Sequence, residues 1–366
     1  MKKVEVIKLI FLTIAFIMCV SGCNDNGTTN SITKETEDAT TEASTEITKE
    51  TDAEEFSFDP VLEKAIREKL GYDDETILTD EDLENVTSIE IFYEDIQSLD
   101  GISKLTNLST ITISGGNITD IDELALLKNL TTIDIYGCLV KEIPDFSNCS
   151  QLTDLHLAGN LIEDVTPLQN IESIKYVNLT HNRIQSIEPL SENTNLESLS
   201  IDSNCILDYY TIEDNKGLIA AIDNGSQATY EKCLETENLA KTVVATFPKE
   251  LSELELEKYI YQYVMDNMEY ELVYRDSGAF GYYALTEGIG VCGDYAELFC
   301  LLARHAGLET YTCVSETHAW NIVVIDGEKY HCDSLWDEGM EEWIYFNLSG
   351  EEMGKIEDHS FDELRY

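Results

Sequence analysis

The stretch "LTDLHLAGNLI", Leu152 to Ile162, decides the architecture. Leu155 and Leu157 alternate with His156, as in a short strand with one buried face, and Gly159-Asn160 then ends the alternation. The same apolar positions, 1, 4, 6 and 11, start again at Val86, Leu108, Leu130, Ile174 and Leu196, each unit 22 residues after the last. A strand-and-turn unit of this size cannot bury its apolar face alone, but stacked copies bury one continuous core. Residues 86–215 are therefore expected to form a solenoid of six units. Position 9 is Asn in the last three (Asn160, Asn182, Asn204), where a side-chain amide can tie neighbouring turns together. Glu94, Gly116 and Cys138 stand there in the first three, so a less regular first half is expected.

Upstream, "FDPVLEKAIREKLG" (Phe58–Gly71) spaces Leu62, Ile66 and Leu70 helically and stops at Gly71, and Thr79 or Asp80 can cap a second short helix. Residues 57–85 thus read as the cap that closes the first layer of a solenoid. The cap and the 22-residue units resemble the internalin-like leucine-rich repeats of bacterial surface proteins. The side chains between the inward Leu positions face the concave side, among them Glu90, Thr112, Asp134, His156, Asn178 and Ser200, with Phe92, Tyr136 and Tyr176 beside them. Phe92, Asp134, Tyr136, His156 and Tyr176 are candidates for binding a surface protein or a glycan. A solvated face without a partner is the plainer reading of any single one of them.

Farther out, residues 1–22 carry Lys2, Lys3 and Lys8 before an apolar run from Leu9 to Val20. Twelve residues is the length of a signal-peptide core and short of the roughly 20 that a membrane span needs. The run ends in "VSGC", which resembles the bacterial lipoprotein signal and implies lipidation at Cys23. Residues 23–56, rich in Thr, Ser and Glu with no aromatic before Phe56, read as a disordered tether. The resemblance implies an extracytoplasmic lipoprotein held on the membrane by its lipid, and no further anchor is expected after Tyr366. With 72 Asp+Glu against 23 Lys+Arg, the net charge of −49 argues against a nucleic-acid partner, since phosphates are bound through Lys and Arg.

After a connecting segment, 216–236, the periodicity changes, and residues 237–366 read as a separate domain. "ELSELELEKYIYQYVMDNMEYE" suggests an amphipathic helix with Leu256, Ile260, Tyr263 and Val264 on its buried face. In "ALTEGIGVCGDYAELFCLLARHAGL", Gly288, Gly290 and Gly293 surround Cys292, and an apolar helix follows as far as Gly307. Cys292 then sits at a helix amino terminus, where the helix dipole favours the nucleophilic thiolate. In "THAWNIVVIDGEKYHCDSLWD", Asp326-Gly327 between apolar runs signals a two-residue hairpin turn. That turn sets Ile322 opposite His331 and Trp320 opposite Asp333, with His318 diagonal to Asp333. A carboxylate that orients an imidazole is what the general base of a nucleophile requires. His331 is expected on the face opposite Asp333, in a structural role, and His305 to complement the dipole of its helix. Asp337 competes with Asp333, and a zinc site from Cys292, His318 and Cys332 has no paired ligand motif to support it.

These segments resemble the nucleophile helix and the His/Asp strands of the transglutaminase-like fold within the papain-like cysteine enzymes. The resemblance implies Cys292 as nucleophile, His318 as general base then acid, and Asp333 as orienting carboxylate. A backbone N–H near Cys292 would help form the oxyanion hole, with Tyr283 a candidate side-chain donor. No cofactor or metal is implied. The fold class expected overall is α/β, a leucine-rich repeat solenoid followed by an α+β transglutaminase-like (papain-like) domain. The function expected is a surface enzyme that hydrolyses or transfers an amide of a protein or peptide substrate. The alternative is an adhesin-like binding protein whose transglutaminase-like domain has lost activity. Eight Cys lie beyond Cys23, and of these Cys205 and Cys233 flank the end of the solenoid and could pair.

Overall fold

The computed structural model describes residues 57–272, 280–315, 317–356 and 359. The leader 1–22, Cys23 and the tether lie outside the described residues. Helix α1 (Pro60–Leu70) starts where Asp59 accepts the N–H of Val61 at 2.8 Å and stops at Gly71, whose φ of 72° suits glycine. Helix α2 (Asp80–Leu83) is capped by Thr79, and Asp82 returns a bond to the Thr79 backbone. Leu62, Ile66 and Leu83 are fully buried and begin the solenoid core.

Six parallel strands follow in sequence order, β1 (Ser88–Phe92), β2 (Thr110–Ser114), β3 (Thr132–Tyr136), β4 (Asp154–His156), β5 (Tyr176–Asn178) and β6 (Ser198–Ser200). The register steps by one unit, Ile89 to Ile111 to Ile133 to Leu155 to Val177 to Leu199, all buried. The return connections are short 3-10 turns such as Asp122–Leu126 and Thr166–Asn170. In the later units the Asn ladder forms. Asn160 accepts from Val140 N at 3.1 Å and donates to Ile135 O at 2.8 Å, and Asn182 and Asn204 repeat the pattern one unit on. The less regular first half takes the form of longer strands, five residues in β1 to β3 against three in β4 to β6.

The connecting segment is helical. Helix α3 (Lys216–Gly225) covers β6 and adds Leu218, Ala221 and Ile222 to the solenoid core. It ends at Gly225, where a Cβ would stand 2.6 Å from Ser198 Oγ and 2.7 Å from the Leu199 carbonyl carbon. Only glycine permits that approach. Helices α4 (Tyr230–Val244), α5 (Glu253–Asn267) and α6 (Phe280–Glu287) then surround α7 (Cys292–His305). A parallel pair, β7 (Glu269–Tyr270) and β8 (Ile289–Gly290), leads into α7. The antiparallel sheet β9 (Thr310–Val314), β10 (Ala319–Ile325) and β11 (Glu328–Cys332) packs on its other side, with β10 central. Short helices α8 (Ser334–Asp337) and α9 (Gly350–Met353) follow.

The buried face of α5 is rotated from the expected one. Glu257, Ile260, Tyr261 and Val264 are buried, while Leu256 and Tyr263 are half-buried. Tyr261 draws the helix round, because its ring meets Phe299, Trp343 and Phe346 and its hydroxyl donates to the Asp333 carbonyl and to Asp337. That rotation buries Glu257, whose carboxyl makes no hydrogen bond and is pushed by burial up to about 8. No helix among the described residues is long and apolar enough to cross a membrane.

Candidate active site

Local backbone places Cys292. The β7–β8 pair feeds directly into α7, and at Gly290 a Cβ would lie 2.4 Å from that of Asp294. Asp294 folds back to accept the Val291 N–H at 2.8 Å and caps the start of the helix. Cys292 is thereby the first helical residue, half-buried, on a helix whose first N–H groups have no acceptor within it.

The hairpin places the other two residues. Asp326 and Gly327 have φ of 52° and 84°, both positive as a two-residue turn of this type requires. The observed pairs, Ile322 with His331 and Asn321 with Cys332, are those expected from the sequence. Ser315 accepts the His318 N–H at 3.1 Å and donates its own N–H to the His318 carbonyl at 2.9 Å, fixing the residue just before β10. His318 Nε2 lies 2.6 Å from Asp333 Oδ2, and both side chains are 2% exposed. The other ring nitrogen, Nδ1, is buried and makes no hydrogen bond of ordinary length, while the Cys292 sulfur is close enough to act on the ring.

Burial opposes charge on His318, but the Asp333 charge and hydrogen bond outweigh it and Cys292 adds to them, so the imidazole is raised to about 10. Burial likewise raises Asp333, but His318 and then His359 reverse the effect and hold the carboxyl at about 2. Asp333 also caps α8, its Oδ1 accepting from Leu335 N at 3.1 Å and Trp336 N at 3.2 Å. One carboxylate thus serves the imidazole through one oxygen and the backbone through the other.

His359 is the site residue that sequence reasoning missed. Its Nε2 approaches Asp333 Oδ2 at 2.9 Å, and its ring stacks on Tyr345 with Trp336 against its edge. Nothing in the spacing of a lone His in a polar carboxy-terminal segment signals this. The ligand atoms of His318, Asp333 and His359 lie within 4.8 Å of one another. Two ligands of one tetrahedral zinc stand about 3.4 Å apart, so the 2.6 and 2.9 Å contacts fit proton sharing rather than a common ion.

The remaining candidates fall in different places. Asp337 accepts from Tyr261 Oη at 2.7 Å and from the N–H groups of Ile344 and Tyr345, and burial raises it. Tyr283 takes a hydrogen bond from Lys232 of α4 at 2.9 Å. His331 joins the cluster around His318, contrary to expectation: its Nδ1 accepts from Trp320 Nε1 at 3.0 Å, and the Trp320 ring stacks on His318. Burial and the neighbouring His359 push His331 down to about 4. His305 is likewise held down at about 4, by burial and then by Lys241, and so does not complement its helix as a cation. Cys205 rests on Glu297 and Cys300 of α7, whereas Cys233 lies beside Tyr209.

On the concave face, Phe92 and Tyr136 are half exposed, Tyr176 somewhat less, and the Tyr176 hydroxyl bonds Glu197 at 3.0 Å. Asp134 and His156 are register partners on adjacent strands; burial raises Asp134 and His156 offsets part of that.

Residues 237–347 match the sequence profile of the transglutaminase-like superfamily, and residues 128–170 that of leucine-rich repeats in two copies. No curated protein matches the chain. Among solved structures, an internalin of Listeria monocytogenes, InlF, is 26% identical over 42% of this chain and 53% of its own, with a TM-score of 0.35. The functional domain of InlJ from the same organism is 22% identical over 40% and 32%, also at 0.35. A leucine-rich-repeat protein of Leptospira interrogans is 18% identical over 38% and 37%, at 0.36. The chain spans about half the length of InlF, 53%. It carries leucine-rich repeats followed by a transglutaminase-like domain.

Proposed function

We propose that the protein is a cysteine enzyme acting on amide bonds of proteins or peptides. The observation that carries this reading is His318, buried between the Asp333 carboxylate at 2.6 Å and the Cys292 thiol at the start of α7. In the first step the Cys292 sulfur, beside a His318 ring that already carries its second proton, attacks the amide carbonyl carbon, and the carbonyl oxygen takes the negative charge. The N–H groups of the first turn of α7 are the oxyanion donors of this scheme. The C–N bond breaks, the amine leaves with the proton given by His318, and a thioester remains on Cys292. Water or a second amine, deprotonated by His318, then releases a carboxylate or a new amide. Asp333 holds the ring in the orientation that keeps Nδ1 toward the sulfur.

In this reading the leucine-rich repeats bind a protein partner, and Cys23 carries the lipid that anchors the enzyme outside the cytoplasm. The anchor rests on the "VSGC" motif. Cys23→Ala is expected to move the protein from the membrane fraction to a soluble pool, and continued membrane association of a normally processed variant would exclude the lipid as anchor.

The test of the enzyme is the alkylation of each Cys by iodoacetamide at pH 6–7. Cys292 is expected to react faster than the buried Cys300 and Cys332, and His318→Ala to remove much of that advantage. Equal rates at Cys292 with and without His318 would instead favour the inactive, adhesin-like alternative.

A further inference from the structure

A cavity of about 260 Å³ along α7 lies between the solenoid and the catalytic domain. One wall is made by the turns after β4, β5 and β6, with Leu161 and Arg183 on it, and Tyr136 stands at its end. The other wall is made by α7 and β9. The cavity touches Gly293 and Ala319, the chain neighbours of Cys292 and His318. Another cavity, about 60 Å³ between the sixth unit, α4 and the back of α7, touches neither.

Strand β9 is an edge of its sheet, and among the described residues no strand pairs with its free side. Its register shows which backbone groups are unused. Ser315 N donates to His318 O, and Val324 N donates to Glu309 O, so the odd-numbered residues of β9 make the ladder to β10. The even-numbered ones turn N–H and C=O the other way. Thr310 confirms the alternation, since its carbonyl accepts from Arg304 Nε at 3.0 Å. Thr312 and Val314, which line the cavity, therefore turn their backbone groups to the free edge of the sheet, and Val314, 46% exposed, is one residue from the Ser315–His318 bond.

Charge at this place departs from the rest of the chain. The Arg183 guanidinium lies 4.2 Å over the Tyr311 ring. Two arginines, Arg183 and Arg304, line the cavity against one carboxylate, Glu297, in a protein with 72 Asp+Glu and 23 Lys+Arg.

We propose that an extended acidic polypeptide segment binds in this cavity as a fourth strand on β9, so that the solenoid turns form half of the substrate groove. The proposal rests on the amide-cleaving reading of Cys292 and adds the substrate class. Edge-strand addition supplies affinity through the backbone of Thr312 and Val314, and Arg183 selects a carboxylate side chain. The repeats then determine specificity at the bond that reacts, instead of tethering the enzyme at a distance.

The test uses the full chain and three electrophiles directed at Cys292: iodoacetamide, an alternating Glu/Val pentapeptide chloromethyl ketone, and the same peptide with Lys for Glu. The readout is the rate of Cys292 labelling by each peptide divided by that by iodoacetamide, which normalises for folding and for thiol reactivity. The Glu peptide is expected to exceed the Lys peptide by about tenfold. Val314→Pro removes an N–H that the β10 ladder does not use, and should lower the Glu-peptide ratio by about tenfold. Arg183→Gln, which removes the charge and keeps a side chain of similar length over the Tyr311 ring, should abolish the preference for Glu. A reactive Cys292 with no peptide preference, or with one that survives both substitutions, overturns the groove and leaves the enzyme reading standing. A Cys292 no more reactive to iodoacetamide than Cys300 removes the reading on which the groove rests.

Discussion

His359 donates toward Asp333 Oδ2 at 2.9 Å, the oxygen that His318 already occupies at 2.6 Å. A carboxylate oxygen has lone pairs for both, and two donors hold it more firmly than one. The carboxy-terminal segment thereby reaches the centre of the candidate site.

Removing His359 takes away one of the groups that depress Asp333. A carboxyl held below its ordinary value gives stability that is present above about pH 3.8 and is lost as pH falls toward 2. His359→Ala should therefore shift acid unfolding, followed by near-UV circular dichroism, to higher pH. Cys292 alkylation at neutral pH should fall less than in His318→Ala. An unchanged acid limb would show that His359 does not bear on the carboxylate.

Asp333 and Asp337 separate by their partners. Asp333→Ala should slow Cys292 alkylation, because His318 loses both its orientation and the charge that raises it. Asp337→Ala leaves His318 in place and leaves the Tyr261 hydroxyl its Asp333 carbonyl, but strips the acceptor from two N–H groups, so it should cost about 2 kcal/mol of stability with little change in relative alkylation rates. The reverse order of effects on alkylation would make Asp337 the orienting residue.

Glu257 predicts a pH dependence of opposite sense. Its carboxyl is raised from 4.5 to about 8, so the folded state is penalised increasingly as pH climbs from 4.5 to 8 and not at all below. Glu257→Met should stabilise the protein by a few kcal/mol, in order of magnitude, at pH 8 and far less at pH 4.5. Equal gains in urea unfolding at the two pH values would mean that Glu257 is solvated.

Leu155 is fully buried at the centre of the solenoid, whereas Thr153 is half-buried and reaches the neighbouring Asp154. Leu155→Ala should cost about 2–5 kcal/mol and Thr153→Ala about 1 kcal/mol or less, both measured by chemical denaturation. Comparable losses would contradict the register.

Periodic and local signals were legible in the sequence. The 22-residue step fixed which residues of β1 to β6 turn inward, and Asp326-Gly327 fixed the pairing of Ile322 with His331. His318 and Asp333 could be placed together because they lie on one hairpin. What escaped depends on contacts between distant segments. The rotation of α5 follows from Tyr261 meeting Asp333 and Asp337 some seventy residues on, which no helical periodicity encodes. His359 reaches its carboxylate from another segment, without a flanking pattern. The place of His331 follows from the Trp320 indole, which bonds its Nδ1 and stacks on His318. The cavity beside Cys292 arises only where two domains meet.

The Asn-bearing turns that tie the last three units together are also those that wall the cavity. Variation in length is therefore not equivalent along the solenoid. A 22-residue unit gained or lost between β1 and β2 changes the reach of the arm and leaves Tyr136, Arg183 and α7 in their mutual places. The same event between β4 and β6 shifts the wall past the nucleophile by a whole strand spacing, about 4.8 Å. A lineage of such proteins is free to diversify by duplication at the amino-terminal end alone, and must change the other end one residue at a time.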